Sequence, residues 1–140
     1  MKTCSGPFAC QLSGMECVLS LRVAESPLHG RGCFATRDLS PGTVVARAEL
    51  LVFPPEELAA LHQTRLKNYV FYVKDGPVPD GPYFSAVAMG PISFCNHSPE
   101  ANCDFHVDDE AATVILTARR AVAEGEEVTI DYGDYAEAII

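Results

Sequence analysis

No apolar run in this 140-residue chain approaches the roughly 18 residues that a membrane-spanning helix needs, so a soluble protein with no membrane partner is expected. The first seven residues carry a single Lys and are broken by Gly6 and Pro7 before any apolar core forms, which makes a poor secretory leader. The expected setting is intracellular: cytoplasmic, or nuclear if the source is eukaryotic. Basic residues are scarce as well, ten Lys and Arg against nineteen Asp and Glu, for a net charge of −9. Because those ten are spread thinly, a polyanion would meet an acidic surface, and direct nucleic-acid binding is not expected. The same charge suits a basic, Lys-containing protein or peptide as partner. None of the six cysteines forms a Cys-x-x-Cys pair and their spacing is irregular, so free buried thiols are expected in place of disulfides. Repeats, low-complexity tracts and an interior linker are missing too, which at this length points to one domain.

What is present concentrates in three stretches. Phe94-Cys95-Asn96-His97-Ser98-Pro99-Glu100-Ala101-Asn102-Cys103 is dense in polar groups between apolar flanks, so Asn96 and His97 are expected in the interior with their hydrogen bonds assigned. Such a cluster is a binding site or a structural lock. Gly125-Glu126-Glu127-Val128-Thr129-Ile130-Asp131-Tyr132-Gly133 predicts a turn and then an alternating strand that delivers Tyr132 and stops at Gly133. Its acidic residues, Glu126, Glu127 and Asp131, are expected on a solvated turn and strand edge. Gly30-Arg31-Gly32, ahead of Cys33-Phe34-Ala35, lets the main chain approach a ligand closely, although taken alone a plain turn is the better account of it and no dinucleotide fingerprint follows.

The remaining chain is mostly short strands. A tail through Gly14 has no period, and residues 17–23 alternate as a half-buried strand does. Strands are further expected at 43–53, 69–73 and 83–89, with a hairpin of 102–107 and 112–118 joined through Asp108-Asp109-Glu110. The aromatic strand 69–73 suits a core position or a groove. One helix is predicted to open at Pro54-Pro55-Glu56-Glu57 and run to about Leu66, because Pro is tolerated in a first turn and carboxylates favour the positive end of the dipole. Residues 74–82, with three prolines and two glycines, form a loop. This is a mostly β domain.

Together, Gly30-Arg31-Gly32-Cys33-Phe34-Ala35, Asn96-His97-Ser98 with Asn102-Cys103, and Gly125-Glu126-Glu127-Val128 leading to Asp131-Tyr132-Gly133 resemble the SET domain of protein lysine methyltransferases. The likeness covers about residues 19–135, in order and spacing. It implies a mostly β, SET-domain-like knotted fold of several small sheets with one or two short helices, in which the C-terminal residues pass through a loop. The implied organisation is a loose tail at 1–14, a single domain at 15–135 and a short tail at 136–140. The implied activity is S-adenosylmethionine-dependent protein-lysine N-methylation, with S-adenosylhomocysteine as product. By the same resemblance, His29, Gly30, Arg31 and Gly32 hold the methionine end of the cofactor, Asn96 and His97 contact its amino group and adenine, and Tyr132 stands beside the sulfonium as the catalytic residue. Ile130 and Tyr135 are then expected along the substrate channel, and Phe34 packs beneath the glycine turn. No metal is implied.

Ala48 falls where many active members have a channel Tyr, and Ser93 and Pro91 fall where they often have Arg and Asn. A catalytically silent SET-type cofactor- or protein-binding module is therefore kept as the alternative. The channel would be closed by 135–140, by the N-terminal tail or by a second subunit, which leaves a homodimer open. Two further readings of the residues remain: a zinc site of Cys95, His97, Cys103 and His106, whose spacing is unfamiliar, and a Cys95 and His97 nucleophilic pair without an orienting third group.

Overall fold

In the computed structural model, which describes residues 20–73 and 84–133, the period-two stretches of the sequence become nine β-strands. β1 (Leu21–Glu25) pairs antiparallel with β2 (Arg31–Ala35) across the glycine turn, and β2 pairs with the last strand, β9 (Glu127–Ile130). On its other side β9 takes a two-residue strand, β6 (Asn96–His97), in parallel, matching Asn96 to Thr129 and His97 to Ile130. The second sheet is built on β3 (Val44–Val52), flanked by β5 (Phe84–Ala88) and then β4 (Val70–Val73) on one side, and by β8 (Thr113–Ala118) and then β7 (Cys103–Asp108) on the other. Its β7–β8 pair is the expected hairpin. Apolar residues of both sheets, among them Cys33, Val45, Val114, Leu116 and Val128, meet Ile92 in one buried cluster. The fold is thus mostly β, in small sheets.

Local exceptions have local causes. Val45 and Ala46 are both buried, which a regular pleat forbids for neighbours, and a register shift between Val44 and Ala46 accommodates them. The expected single helix is a correction: a 3-10 turn at Pro55–Glu57 leads into α1 (Leu58–His62), which stops four residues early. Thr64 ends it, because its hydroxyl donates to the Leu61 carbonyl at 2.8 Å and accepts from the Leu66 N–H at 3.2 Å, starting a second 3-10 segment at Arg65–Tyr69. Only Leu61 of α1 is buried, so the helix is too short and too thinly anchored to continue. Tyr69, expected in a strand, ends that 3-10 segment instead. The first strand begins at Leu21, and the last stops at Ile130, so Tyr132 lies beyond its strand. The expected loop at 74–82, both tails and the passage of the C-terminal residues through a loop fall outside the described residues.

Asn102 completes the first sheet with a side chain. Its Oδ1 accepts from the Thr129 N–H at 2.9 Å and its Nδ2 donates to the Glu127 carbonyl at 2.8 Å, the two bonds a neighbouring parallel strand would make around Val128. The residue is 2% exposed, so water has no access to take over. Removing the amide strands a donor and an acceptor on β9. Asn102→Ala is therefore expected to lower unfolding stability by about 2–4 kcal/mol, read as a drop in the urea midpoint at unchanged slope.

Candidate functional site

The glycine turn between β1 and β2 is set by side-chain chemistry. Ser26 accepts through Oγ from the N–H groups of Leu28 (2.9 Å) and His29 (3.3 Å), and its own N–H donates to the Gly30 carbonyl at 2.8 Å. Gly30 has φ +46°, and a Cβ built there would meet nothing within 4 Å. It is open to solvent. Gly32 is the opposite case: a Cβ there would lie 2.2 Å from Glu127 Oε1 and 2.9 Å from Asn96 Nδ2. The close approach that Gly32 permits is made by the protein's own side chains.

Asn96 and His97 are held by β6, each with a definite task. Asn96 is buried, and its Nδ2 lies within hydrogen-bond distance of the carbonyls of His29 (3.0 Å) and Arg31 (3.3 Å) and of Glu127 Oε1 (2.9 Å). All three are acceptors, which fixes the orientation of the amide. His97 Nδ1 accepts from the Tyr132 N–H at 3.0 Å, so its ring proton belongs on Nε2, and the two rings lie 5.1 Å apart. The Tyr132 hydroxyl donates to the Cys95 carbonyl at 2.6 Å. Next to it, Asp131 Oδ1 accepts from the Gly133 N–H at 2.8 Å and turns the chain where Gly133 has φ +65°. Burial pushes the Tyr132 phenol up to about 12, helped by the neighbouring Cys95, Tyr69 and Cys33.

Tyr132 stands between two cavities. One, of about 300 Å³, is lined by Leu28, His29, Gly30, Arg31, Phe94, Asn96 and His97, with the Arg31 guanidinium 4.8 Å from the centre of the Phe94 ring. The other, of about 260 Å³, is lined by Val70, Phe71, Tyr72, Ile92, Phe105 and Ile130. Asn68, Tyr69, Ser93, Cys95 and Tyr132 belong to both walls. Tyr69 packs edge-on against Phe94 at 5.6 Å, and Ser93 is tethered by its hydroxyl to the Ala88 carbonyl.

The family model described as "SET domain" matches residues 30–133, which contain the glycine turn, β6 and Tyr132. The chain belongs to the SET domain family. It is 32% identical over 116 residues to histone-lysine N-methyltransferase trithorax of Drosophila virilis, and 32% identical over 121 residues to human histone-lysine N-methyltransferase 2B. Each alignment covers 79% of this chain but only 3% and 4% of those proteins. A histone-lysine N-methyltransferase of Yarrowia lipolytica, named as specific for lysine 36 of H3, is 28% identical over 158 residues, covering 91% of this chain and 20% of that one. The chain thus spans a small part of the curated relatives it matches. Among solved structures, a candidate histone methyltransferase of Plasmodium falciparum superposes with a TM-score of 0.64 at 18% identity, covering 83% of this chain and 95% of that one. The Neurospora SET domain protein DIM-5, a histone lysine methyltransferase, gives 0.61 at 22% identity over 81% and 52%. These likenesses establish the fold.

Within this SET domain, His29, Gly30, Arg31, Asn96, His97 and Tyr132 gather at the larger cavity, and Ile130 lines the smaller. Gly32 lies in β2 behind the turn and lines neither, and Tyr135 falls outside the described residues. Phe34 lies on the outer side of β2, with the Arg22 guanidinium 5.4 Å from its ring centre. Ala48 is buried in β3 and lines neither cavity. Among the described residues, no three His, Cys, Asp or Glu side chains gather as a ligand set, so Cys95, His97, Cys103 and His106 do not form a zinc centre. Nor is Cys95 a nucleophile: a hydrogen bond with the Cys33 thiol and then burial hold its pKa well above the ordinary thiol range, and His97 Nδ1 is committed to Tyr132.

Sequence reasoning missed Tyr69, Phe94 and Ser93 on the cavity walls, and it missed both glutamates as internal acceptors. The aromatic run at 69–73 was the available signal: Val73 is buried in the core, while Val70, Phe71 and Tyr72 all border the smaller cavity, Phe71 with most of its surface buried. Glu126 is no bystander of the turn. Burial opposes its ionisation, but bonds from the Ala123 N–H, Arg120 and Asn102 outweigh that and hold its carboxyl below the usual range.

The raised phenol of Tyr132 is directly measurable. The folded state favours the neutral form, so the stability this group contributes is fully present below pH 10 and is lost as pH rises through about 12. In a spectrophotometric titration of tyrosinate absorbance, one phenol should ionise near 12, and that step should vanish in Tyr132→Phe.

Proposed function

We propose that this SET domain is an S-adenosylmethionine-dependent protein-lysine N-methyltransferase. The observation that carries the reading is the position of Tyr132 in the wall shared by two cavities, one entered from the glycine turn and the other lined by apolar and aromatic side chains. The larger cavity suits the cofactor. The space beside Gly30 that a Cβ would fill is open, Arg31 brings a cation for a carboxylate, and the Phe94 ring and the His97 edge offer surfaces to a purine. When bound there, S-adenosylmethionine supplies a methyl group activated on a sulfonium, and S-adenosylhomocysteine remains.

The smaller cavity suits the lysine. An ammonium cannot accept a methyl group, and with a free pKa near 10.4 its neutral form costs about 4.6 kcal/mol at pH 7. No carboxylate or cation lines this cavity among the described residues, so nothing in its wall holds the charged form. With its proton spent on the Cys95 carbonyl, Tyr132 presents oxygen lone pairs that can accept an amine N–H and aim the nitrogen. A phenol pushed up to about 12 is not a base at neutral pH. Its work is orientation, and the lysine must arrive neutral. The relatives are named as histone-lysine methyltransferases, and the net charge of −9 complements a basic segment, so a Lys-rich protein tail, and with it a nuclear or other intracellular setting, is the proposed context.

One feature favours a second reading, a cofactor- or protein-binding module without turnover. Ala48 offers neither cavity a hydroxyl at the position where the family often places one. Calorimetry with S-adenosylmethionine, followed by single-turnover methylation of Lys-rich peptides at several pH values, separates the two. One micromolar cofactor site is expected, with transfer that rises with pH and that falls by about 10²-fold in Tyr132→Phe at unchanged cofactor affinity. Tight binding with no transfer would favour the silent module, and no binding would remove the enzyme and the cofactor-binding module, leaving only a protein-binding one.

A further inference from the structure

One carboxylate joins the segments that shape the glycine turn. Glu127 Oε1 accepts from Ser26 Oγ at 2.7 Å and from Asn96 Nδ2 at 2.9 Å, and Oε2 lies 2.9 Å from the same Ser26 Oγ. Ser26 passes the constraint to the N–H groups of Leu28 and His29, while Asn96 passes it to the carbonyls of His29 and Arg31. The Ser26 hydroxyl is thereby saturated, donating once and accepting twice. Glu127 lines neither cavity, and it reaches this point because Gly32 has no Cβ to stand in its way.

We propose that Glu127 is a positioning residue for the cofactor turn, acting through Ser26 from one side and Asn96 from the other. The proposal rests on the reading of that turn as the cofactor site. The donors to Glu127 are an uncharged hydroxyl and an uncharged amide, so what the turn needs is an acceptor at the Oε1 position and not a negative charge. Without that acceptor, Ser26 and Asn96 can rotate away and the main chain from Leu28 to Arg31 loses its definition before any ligand arrives. The binding energy spent on ordering the turn then appears as weaker cofactor affinity.

The test compares wild type, Glu127→Ala, Glu127→Gln and Ser26→Ala by calorimetry with S-adenosylhomocysteine, by amide hydrogen exchange of Leu28 and His29 in the cofactor-free protein, and by steady-state kinetics. Glu127→Ala should raise the cofactor Kd by about tenfold or more and speed exchange at both amides, while kcat at saturating cofactor and KM for the peptide stay within about threefold. Glu127→Gln should recover both affinity and protection, because its carbonyl oxygen can take the two donors. Ser26→Ala, at a half-buried turn position, should repeat the loss of protection and affinity without endangering the fold. Wild-type affinity and protection in Glu127→Ala would overturn the proposal, as would a Gln variant no better than Ala, since charge would then be the contribution. If wild type binds no cofactor, the proposed function fails separately. Exchange at Leu28 and His29 still decides the clamp, supporting it if faster in the Ala variants and overturning it if unchanged.

Discussion

The amide of Asn96 sits where β6 runs parallel to β9, and there it meets two carbonyls of the glycine turn and a carboxylate. Each of these acceptors would carry a desolvation cost if the amide were removed, and together they tie the glycine turn to the final strand. The turn between β1 and β2 cannot keep its shape unless residue 96 is held, and residue 96 is held only because β9 supplies a strand for it. A two-residue parallel pairing is weak alone. Here it is reinforced by the Ser98 N–H, which donates to the Ile130 carbonyl at 3.0 Å, and by Asn102, whose side chain bonds the β9 main chain at Glu127 and Thr129.

The same strand pair fixes Tyr132. Its main-chain N–H is taken by His97 and its hydroxyl by the carbonyl of Cys95, so the residues flanking Asn96 in sequence clasp the tyrosine at both ends. Under the proposed function, such a side chain would lose little further freedom when a substrate binds, which is the meaning of preorganisation for a reaction that needs alignment more than acid or base chemistry. The two cavities meet at this side chain, and the buried thiols of Cys33 and Cys95 lie directly behind. Cys33 donates to the Pro91 carbonyl at 2.7 Å, so the thiols serve as packing with a weak polar tie.

The acidic residues of the final turn illustrate how one composition can hide two roles. Glu126 and Glu127 look alike in sequence, yet Glu126 binds the Arg120 guanidinium and the Asn102 amide, while its neighbour reaches through the sheet to Ser26 and Asn96. Glu126 still belongs to the turn and Glu127 opens β9, so the two side chains meet different partners. A net negative charge therefore says little about any one carboxylate, because some of that charge is spent inside the molecule.

Much of the architecture was legible from periodicity, since strand residues carry their burial pattern in alternation, and the hairpin of β7 and β8 and the long β3 follow from it directly. The resemblance of Gly30-Arg31-Gly32, Asn96-His97 and Tyr132 likewise named residues that, Gly32 excepted, gather at one cavity. The early end of α1 depended on one threonine bonding in both directions, a choice between local hydrogen bonds that a helical pattern does not reveal. The sequence by itself determined which residue types were available, which stretches would be strands and where the chain must turn. Only the tertiary structure decided that Gly32 faces a carboxylate while Gly30 faces a cavity, that a strand of two residues suffices for Asn96 and His97, and that Tyr69 and Phe94 meet. Those outcomes hinge on contacts between residues far apart in the chain, whose geometry is set by the packing of whole sheets and leaves no period in the sequence.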